Sequence, residues 1–143
     1  GWAPAAGVGL SRKYEAENLT VAKWLEERRL AEEWAAREEG LPLNTPYEAL
    51  ILASIVEKET SSRKEMPLIA SVMVNRLRIG MPLQCDPTVI YGIEDFDGNL
   101  TREHLRTPNP YNTYVNKGLP PGPICNPGLE ALQAMHRILR VLP

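Results

Sequence analysis

A mainly helical α+β domain is what this sequence predicts, and three observations carry the prediction. Apolar residues recur at helical spacing through much of the first 80 residues and again near the C-terminal end. Prolines and glycines concentrate after Gly80, so the chain there must turn often. Within that turning half, Thr88–Tyr91 and Tyr111–Val115 combine β-branched and aromatic residues between turn formers, the pattern of short strands.

The first helix is expected over Asn18 to Glu39, where Val21, Trp24, Leu25, Leu30, Trp34 and Ala35 fall loosely on one face and Gly40 supplies a stop. Its charges, Glu26 to Arg29 with Glu32 and Glu33, read as a solvated face with intrahelical pairs. A second helix has the clearest start in the chain. Thr45 with Glu48 forms a capping box, and Pro46 stands where a first-turn proline is tolerated. The run Ala49–Val56 is apolar on nearly every side, which places this helix in the middle of the domain. A third helix begins around Pro67 and ends at Gly80. Asp97-Gly98 is a tight-turn signal between the two expected strands, and a last helix is expected to start with Asn126 as cap and Pro127 behind it.

Composition narrows the function classes. A chain of 143 residues with 43% hydrophobic and 24% charged content can bury a core as one soluble domain. The net charge of −2 offers no general basic surface for nucleic-acid phosphates, so no nucleic-acid partner is expected. The sequence has no apolar run of the length that crosses a bilayer, and Gly1–Leu10 lacks the basic start of an export signal. Cys85 and Cys125 either form one disulfide or remain thiols, and their spacing matches no zinc or redox motif. His104 and His136 are isolated, so no metal site and no cofactor are expected. Asp95–Asn99 faintly resembles a calcium loop, but Arg106 occupies the position of the bidentate glutamate, and a hairpin turn explains it better. The Gly118–Pro123 run fits a polyproline ligand or, at least as well, a rigid shaped loop.

Two acids stand at the end of the apolar helix. Glu59 follows Val56, Ile55, Leu52 and Ile51 at three, four, seven and eight residues and so continues the apolar face, whereas Glu57 stacks on Ala53, Ser54 and Leu50. A carboxyl group on a buried face at a helix C-terminus should have a raised pKa, as a general acid needs near neutral pH. On these residues alone, two solvated glutamates of a last helical turn remain the simpler reading. Gln84-Cys85-Asp86-Pro87-Thr88 and Tyr111-Asn112-Thr113-Tyr114 offer amide, hydroxyl and aromatic groups, the mixture that grips sugars, and each is equally compatible with ordinary turn and strand chemistry.

The motifs in order are Leu52–Thr60 with its Glu57-Lys58-Glu59-Thr60 end, Val74-Asn75-Arg76-Leu77 with Gly80-Met81, and Leu83-Gln84 followed by Asp86–Gly92. Tyr111-Asn112-Thr113-Tyr114 and Gly118–Ile124 complete the series. Together they resemble the MltG (YceG-like) endolytic murein transglycosylases. The resemblance runs over residues 30–134 as a catalytic core, with a poorly matched segment at 1–29 and an atypical end at 135–143. It implies a lysozyme-like catalytic domain and selects Glu59 as the acid/base residue. It also implies cleavage of the β-1,4 bond between N-acetylmuramic acid and N-acetylglucosamine without water as nucleophile, leaving 1,6-anhydro-N-acetylmuramic ends. Gln84, Asp86, Thr88, Tyr111, Asn112, Thr113 and Tyr114 become the groups expected along the glycan, with Glu57, Asn75 and Arg76 in support. The implied partners are peptidoglycan strands and cell-wall synthases. The implied location is the outer face of the bacterial cytoplasmic membrane, held by a preceding helix that this sequence does not include. A non-catalytic peptidoglycan-binding or scaffold module is the alternative expectation.

Overall fold

The computed structural model describes residues 28–30, 32–37 and 40–141. Residues 28–30 and 32–35 of the expected first helix are helical, Ala36 and Arg37 have already left it, short of the expected end at Glu39, and its expected start at Asn18 lies outside the described residues. Leu30 and Trp34, one turn apart, are buried in the core, while the Arg37 guanidinium lies 4.1 Å over the Trp34 ring.

Helix α1 (Pro46–Glu59) is the centre of the domain, with every residue from Ala49 to Val56 buried. Its start is the one the sequence signals, with a difference. The Thr45 hydroxyl accepts the Glu48 N–H at 3.2 Å, but the Glu48 carboxylate reaches the N–H of Asn44 rather than that of Thr45. Helix α2 (Met66–Ile79) ends at Gly80, whose φ of 73° is the left-handed conformation a glycine adopts without cost. Bonds from Met81 N–H to Arg76 O and from Gly80 N–H to Leu77 O complete that C-terminal turn.

Two short helices follow, α3 (Asp86–Tyr91) and α4 (Arg102–Arg106), and then α5 (Leu129–Val141). α1, α2 and α5 pack on one another, and α3 packs between α1 and α4. Leu50, Leu52, Ile55 and Val56 of α1 meet Met73 and Val74 of α2 and Leu132, Met135 and Leu139 of α5 in one apolar cluster. Each such side chain, fully withdrawn from water, contributes about 1.5–3 kcal/mol.

No strand occurs among the described residues, which corrects the α+β expectation. Thr88–Tyr91 lies in α3, because Pro87 in the first turn and the Thr88 hydroxyl, donating to Cys85 O at 2.7 Å, start a helix there despite the β-branched residues. Tyr111–Val115 is a chain of turns. Asn109 and Asn112 accept the N–H groups of Tyr111 and Tyr114, each at 2.8 Å, so their side chains take the bonds a ladder would need. The Asp97-Gly98 turn is present, with Asp97 accepting from Asn99 N–H at 2.8 Å, but it joins no hairpin.

The last helix also starts differently from the expectation. Asn126 is buried and its Oδ1 has no hydrogen-bond partner, while the Gly128 carbonyl accepts the first helical bond, from Leu132 N–H. The Pro-rich run is a packed loop rather than an exposed ligand. Pro120 and residues 122–127 are buried, and Ile124 N–H donates to the Ser54 hydroxyl of α1 at 3.1 Å. Cys85 and Cys125 are buried free thiols.

Candidate active site

Glu59 is the last residue of α1, and Thr60 leaves the helix in an extended conformation. The wall opposite it is built by the chain reversal after α2. Arg76 Nη1 donates to Leu83 O at 2.6 Å, which ties the returning strand of chain to the helix. Gln84 then takes a φ of +56°, a left-handed conformation uncommon outside glycine, and the structure around it holds that turn in place. Gln84 N–H donates to Thr113 O at 3.1 Å and Cys85 N–H to the Thr113 hydroxyl at 2.9 Å. The Thr88 and Thr113 hydroxyls lie 2.8 Å apart. This sharp, pinned bend places Asp86 at the start of α3, where its carboxylate accepts the Tyr114 hydroxyl at 2.5 Å.

Electrostatics joins these groups to Glu59. Partial burial raises the Glu59 pKa, the neighbouring Asp86 charge raises it further, and the Arg76 guanidinium opposes both. Burial pushes the Cys85 thiol up to about 12, with the Glu59 charge adding to it, so Cys85 is an inert floor residue rather than a nucleophile. Tyr114 is likewise raised to about 12, first by burial and then by donating to Asp86. Its hydroxyl therefore stays protonated at any ordinary pH and keeps Asp86 in place. Tyr111 stacks on Tyr91 with ring centroids 4.8 Å apart and an interplanar angle of 52°, and burial raises its pKa.

The sequence-predicted residues thus separate into groups. Glu59, Arg76, Asp86 and Tyr114 come together, with Gln84 exposed beside them. Thr88, Asn112 and Thr113 are fully buried. Their polar atoms serve the protein itself, the Asn112 amide donating to the carbonyls of His104, Leu105 and Thr107 at 3.3, 3.1 and 2.9 Å. Asn75 is exposed on α2 and takes only a long contact from Arg78. Glu57 turns to the other side, where its carboxylate accepts the Gly128 N–H at 2.5 Å and docks the start of α5. Glu59 is more open to solvent than Glu57, and the whole circumference of α1 is buried, so helical facing alone does not separate the two acids.

No pattern in the sequence signals the Gly128 partner of Glu57 or the Cys85 floor beside Glu59. Tyr91 was readable only as an aromatic within a motif. A larger open concavity of about 960 Å3, lined by Arg63, Lys64, Glu130 and Arg137 among others, contains none of these site residues. Among the described residues, no cluster of three or more His, Cys, Asp or Glu side chains could hold a metal, and no helix is long and apolar enough to cross a membrane.

Among the described residues, fold and site define a helical domain in which a solvent-accessible carboxyl group, its pKa raised first by burial, is set among a guanidinium, a second carboxylate and a tyrosine. Comparison with known proteins identifies its kin. The YceG-like family profile matches residues 10–139, and the chain belongs to the YceG-like family. It is 42% identical over 88 residues to an endolytic murein transglycosylase of Bacillus subtilis, covering 62% of this chain and 24% of that protein. An endolytic murein transglycosylase of Streptococcus pneumoniae is 37% identical over 95 residues, covering 63% of this chain and 17% of that one. The chain therefore spans about a quarter or less of the length of these relatives. A crystal structure of a YceG-like protein from Listeria monocytogenes superposes with a TM-score of 0.68 at 36% identity, covering 78% of this chain and 35% of that one.

Proposed function

We propose that this chain is the catalytic part of an endolytic peptidoglycan lytic transglycosylase and that Glu59 is its acid/base residue. The observation that carries the reading is the Glu59 carboxyl group itself, solvent-accessible at the end of a buried helix yet held toward its protonated form by burial and by Asp86. The names of the matched relatives supply the substrate class.

In this mechanism neutral Glu59 gives its proton to the glycosidic oxygen as the bond to the muramyl C1 breaks, releasing the N-acetylglucosamine side with a free hydroxyl. The Glu59 carboxylate then takes the proton of the C6 hydroxyl of the same muramyl residue, and that oxygen closes on C1. Glu59 ends protonated as it began, no water is consumed, and the product carries a 1,6-anhydro ring. A hydrolase of the usual kind would need a second carboxylate for water or for carbon. Here Asp86 is engaged by Tyr114 and acts on the charge of Glu59. Gln84 and Tyr111 are the remaining accessible groups assigned to the glycan, whereas Thr88, Asn112 and Thr113 act by shaping the loops. The same proposal includes a location at the outer face of the cytoplasmic membrane and cell-wall synthases as partners, which the murein substrate of the named relatives supports only as far as action on the cell wall.

The test is incubation with purified peptidoglycan and mass spectrometry of the soluble products. Anhydro-muramyl ends from the wild-type chain, absent with a folded Glu59→Gln variant, are expected; reducing muramic ends would show a hydrolase instead. The alternative reading is a peptidoglycan-binding module without activity. Sedimentation with insoluble peptidoglycan and no soluble product would establish it.

A further inference from the structure

A second cavity lies at the far end of α3, with a volume of about 220 Å3. Val89, Gly92 and Ile93 give it an apolar wall, and the side chains of His104, Asn109 and Asn112 supply its polar groups. The amides are spent within the protein. Asn109 donates to Gly92 O at 3.1 Å and accepts from Tyr111 N–H, while Asn112 holds the α4 carbonyls and accepts from Tyr114 N–H. His104 differs. Its Nδ1 accepts the Thr101 N–H at 3.0 Å, which leaves Nε2 as the donor of the ring. Phe96 meets the imidazole edge-on, with centroids 6.1 Å apart, and helps to hold the ring in that orientation. The Thr107 hydroxyl, also in the lining, donates to Glu103 O, so among the described residues the His104 Nε2–H is the lining donor with no bond inside the protein, beside the apolar Val89 and Ile93.

The cavity is also preformed. A Cβ at Gly92 would stand 2.5 Å from Asn109 Oδ1, so only glycine permits this close approach of α3 to the Asn109 loop. Two of the segments that line the cavity, α3 and the loop carrying Asn109 and Asn112, also contribute to the Glu59 site. α3 begins at Asp86 and its C-cap is Gly92, about 9 Å apart at the rise of a helix, and the loop that carries Asn109 and Asn112 ends at Tyr114 on Asp86.

We propose that this cavity binds the N-acetyl group of a glycan sugar unit neighbouring the one at Glu59, with the methyl group against Val89 and Ile93 and the carbonyl accepting from His104 Nε2–H. The proposal rests on the glycan reading above and names which substituent of that glycan is recognised. A purely apolar ligand would leave the histidine donor unpaired, and a protonated amine would meet apolar walls and a donor with no acceptor to receive it. An acetamido group answers both features.

The test is calorimetric binding of the whole chain to a tetramer of N-acetylglucosamine and to the same tetramer fully de-N-acetylated, at high salt to suppress charge effects. The acetylated tetramer should bind about tenfold tighter. His104→Asn keeps an acceptor for Thr101 but loses the Nε2 donor, and should weaken the acetylated ligand about fivefold. His104→Gln restores a donor at similar reach and should recover most of that loss. Ile93→Phe, which fills the cavity without touching His104, should abolish the preference. Equal affinity for the two tetramers, no binding of either, or a preference that survives both His104→Asn and Ile93→Phe would overturn the proposal. Its failure is separable from that of the cleavage reading. Anhydro ends released equally from acetylated and de-N-acetylated strands would sink the cavity and leave cleavage standing, and acetyl preference without anhydro ends would do the reverse.

Discussion

The contact between Glu57 and Gly128 gives the sharpest stability prediction. A methyl group at position 128 would begin 2.6 Å from Glu57 Oε1, so Gly128→Ala must push the carboxylate away and break its bond to the helix N–H. A charge-assisted bond of this kind at a half-buried site is worth about 1–2 kcal/mol. The reduced freedom of alanine in the unfolded chain returns about 0.5 kcal/mol, leaving a net loss of about 1 kcal/mol. In a chain of this size that lowers Tm by roughly 3–5 °C. Glu57→Gln keeps an oxygen that can accept from Gly128 but loses the favourable charge at the start of α5, a smaller loss of about 0.5–1 kcal/mol. The discriminating measurement is the double variant. In a Glu57→Ala background the new methyl group meets only Glu130 Oε2, at an ordinary contact distance of 3.7 Å, so Gly128→Ala should then cost almost nothing. Thermal melts of the four proteins close the cycle. If Gly128→Ala costs the same with and without the glutamate, Glu57 does not dock α5.

Other expectations concern charge and burial around Glu59. Asp86 raises the Glu59 pKa and Arg76 lowers it, so the alkaline limb of a pH–activity profile, where the acid is lost, should move to lower pH in Asp86→Asn and to higher pH in Arg76→Gln; limbs moving together would contradict this. Because the folded Glu59 pKa lies above the unfolded one, its carboxylate opposes folding, and that penalty grows as pH rises from the unfolded pKa through the folded one. Denaturant titrations should therefore find Glu59→Gln gaining stability relative to wild type only on the alkaline side of that window. Asn112→Ala removes two N–H donors shared among three carbonyls, and one acceptor, at a fully buried site, a loss of about 2–4 kcal/mol that should lower Tm by roughly 6–20 °C.

The helical frame was legible because its signals are local. Thr45, Pro46 and Gly80 mark ends by their own backbone chemistry, and the run Ala49–Val56 announces a helix surrounded by protein. The second half was misread where side chains compete with the backbone. Thr88 and Val89 favour strands in general, yet the bond from the Thr88 hydroxyl to Cys85 O and the burial of Val89 make a helical turn the better local solution. Tyr111–Val115 depends on amides whose partners lie several residues away, a pairing that no periodicity records. The site was legible in the same measure. Its residue types were found in sequence, but Thr88, Asn112 and Thr113 are buried supports while Asp86 and Tyr114 reach the surface, and only packing distinguishes these roles.

Glu57 and Glu59 show how two like residues come to differ. Both end the same buried helix, and its apolar circumference treats them alike. Their separation comes from what the later chain brings to each. The Pro-rich loop returns a backbone N–H at Gly128 to Glu57, which gives that carboxylate a structural bond. The bend at Gln84 brings a second carboxylate, from Asp86, toward Glu59, which holds its proton more firmly, while Arg76 keeps the shift from running further. Partial burial and then the neighbouring Asp86 charge favour the neutral form of Glu59, whereas Glu57 is committed to a structural bond. A proton donor facing solvent therefore requires the α2–α3 bend as much as it requires α1, and variants that relax Gln84 or Thr113 should affect the chemistry of Glu59 without touching it.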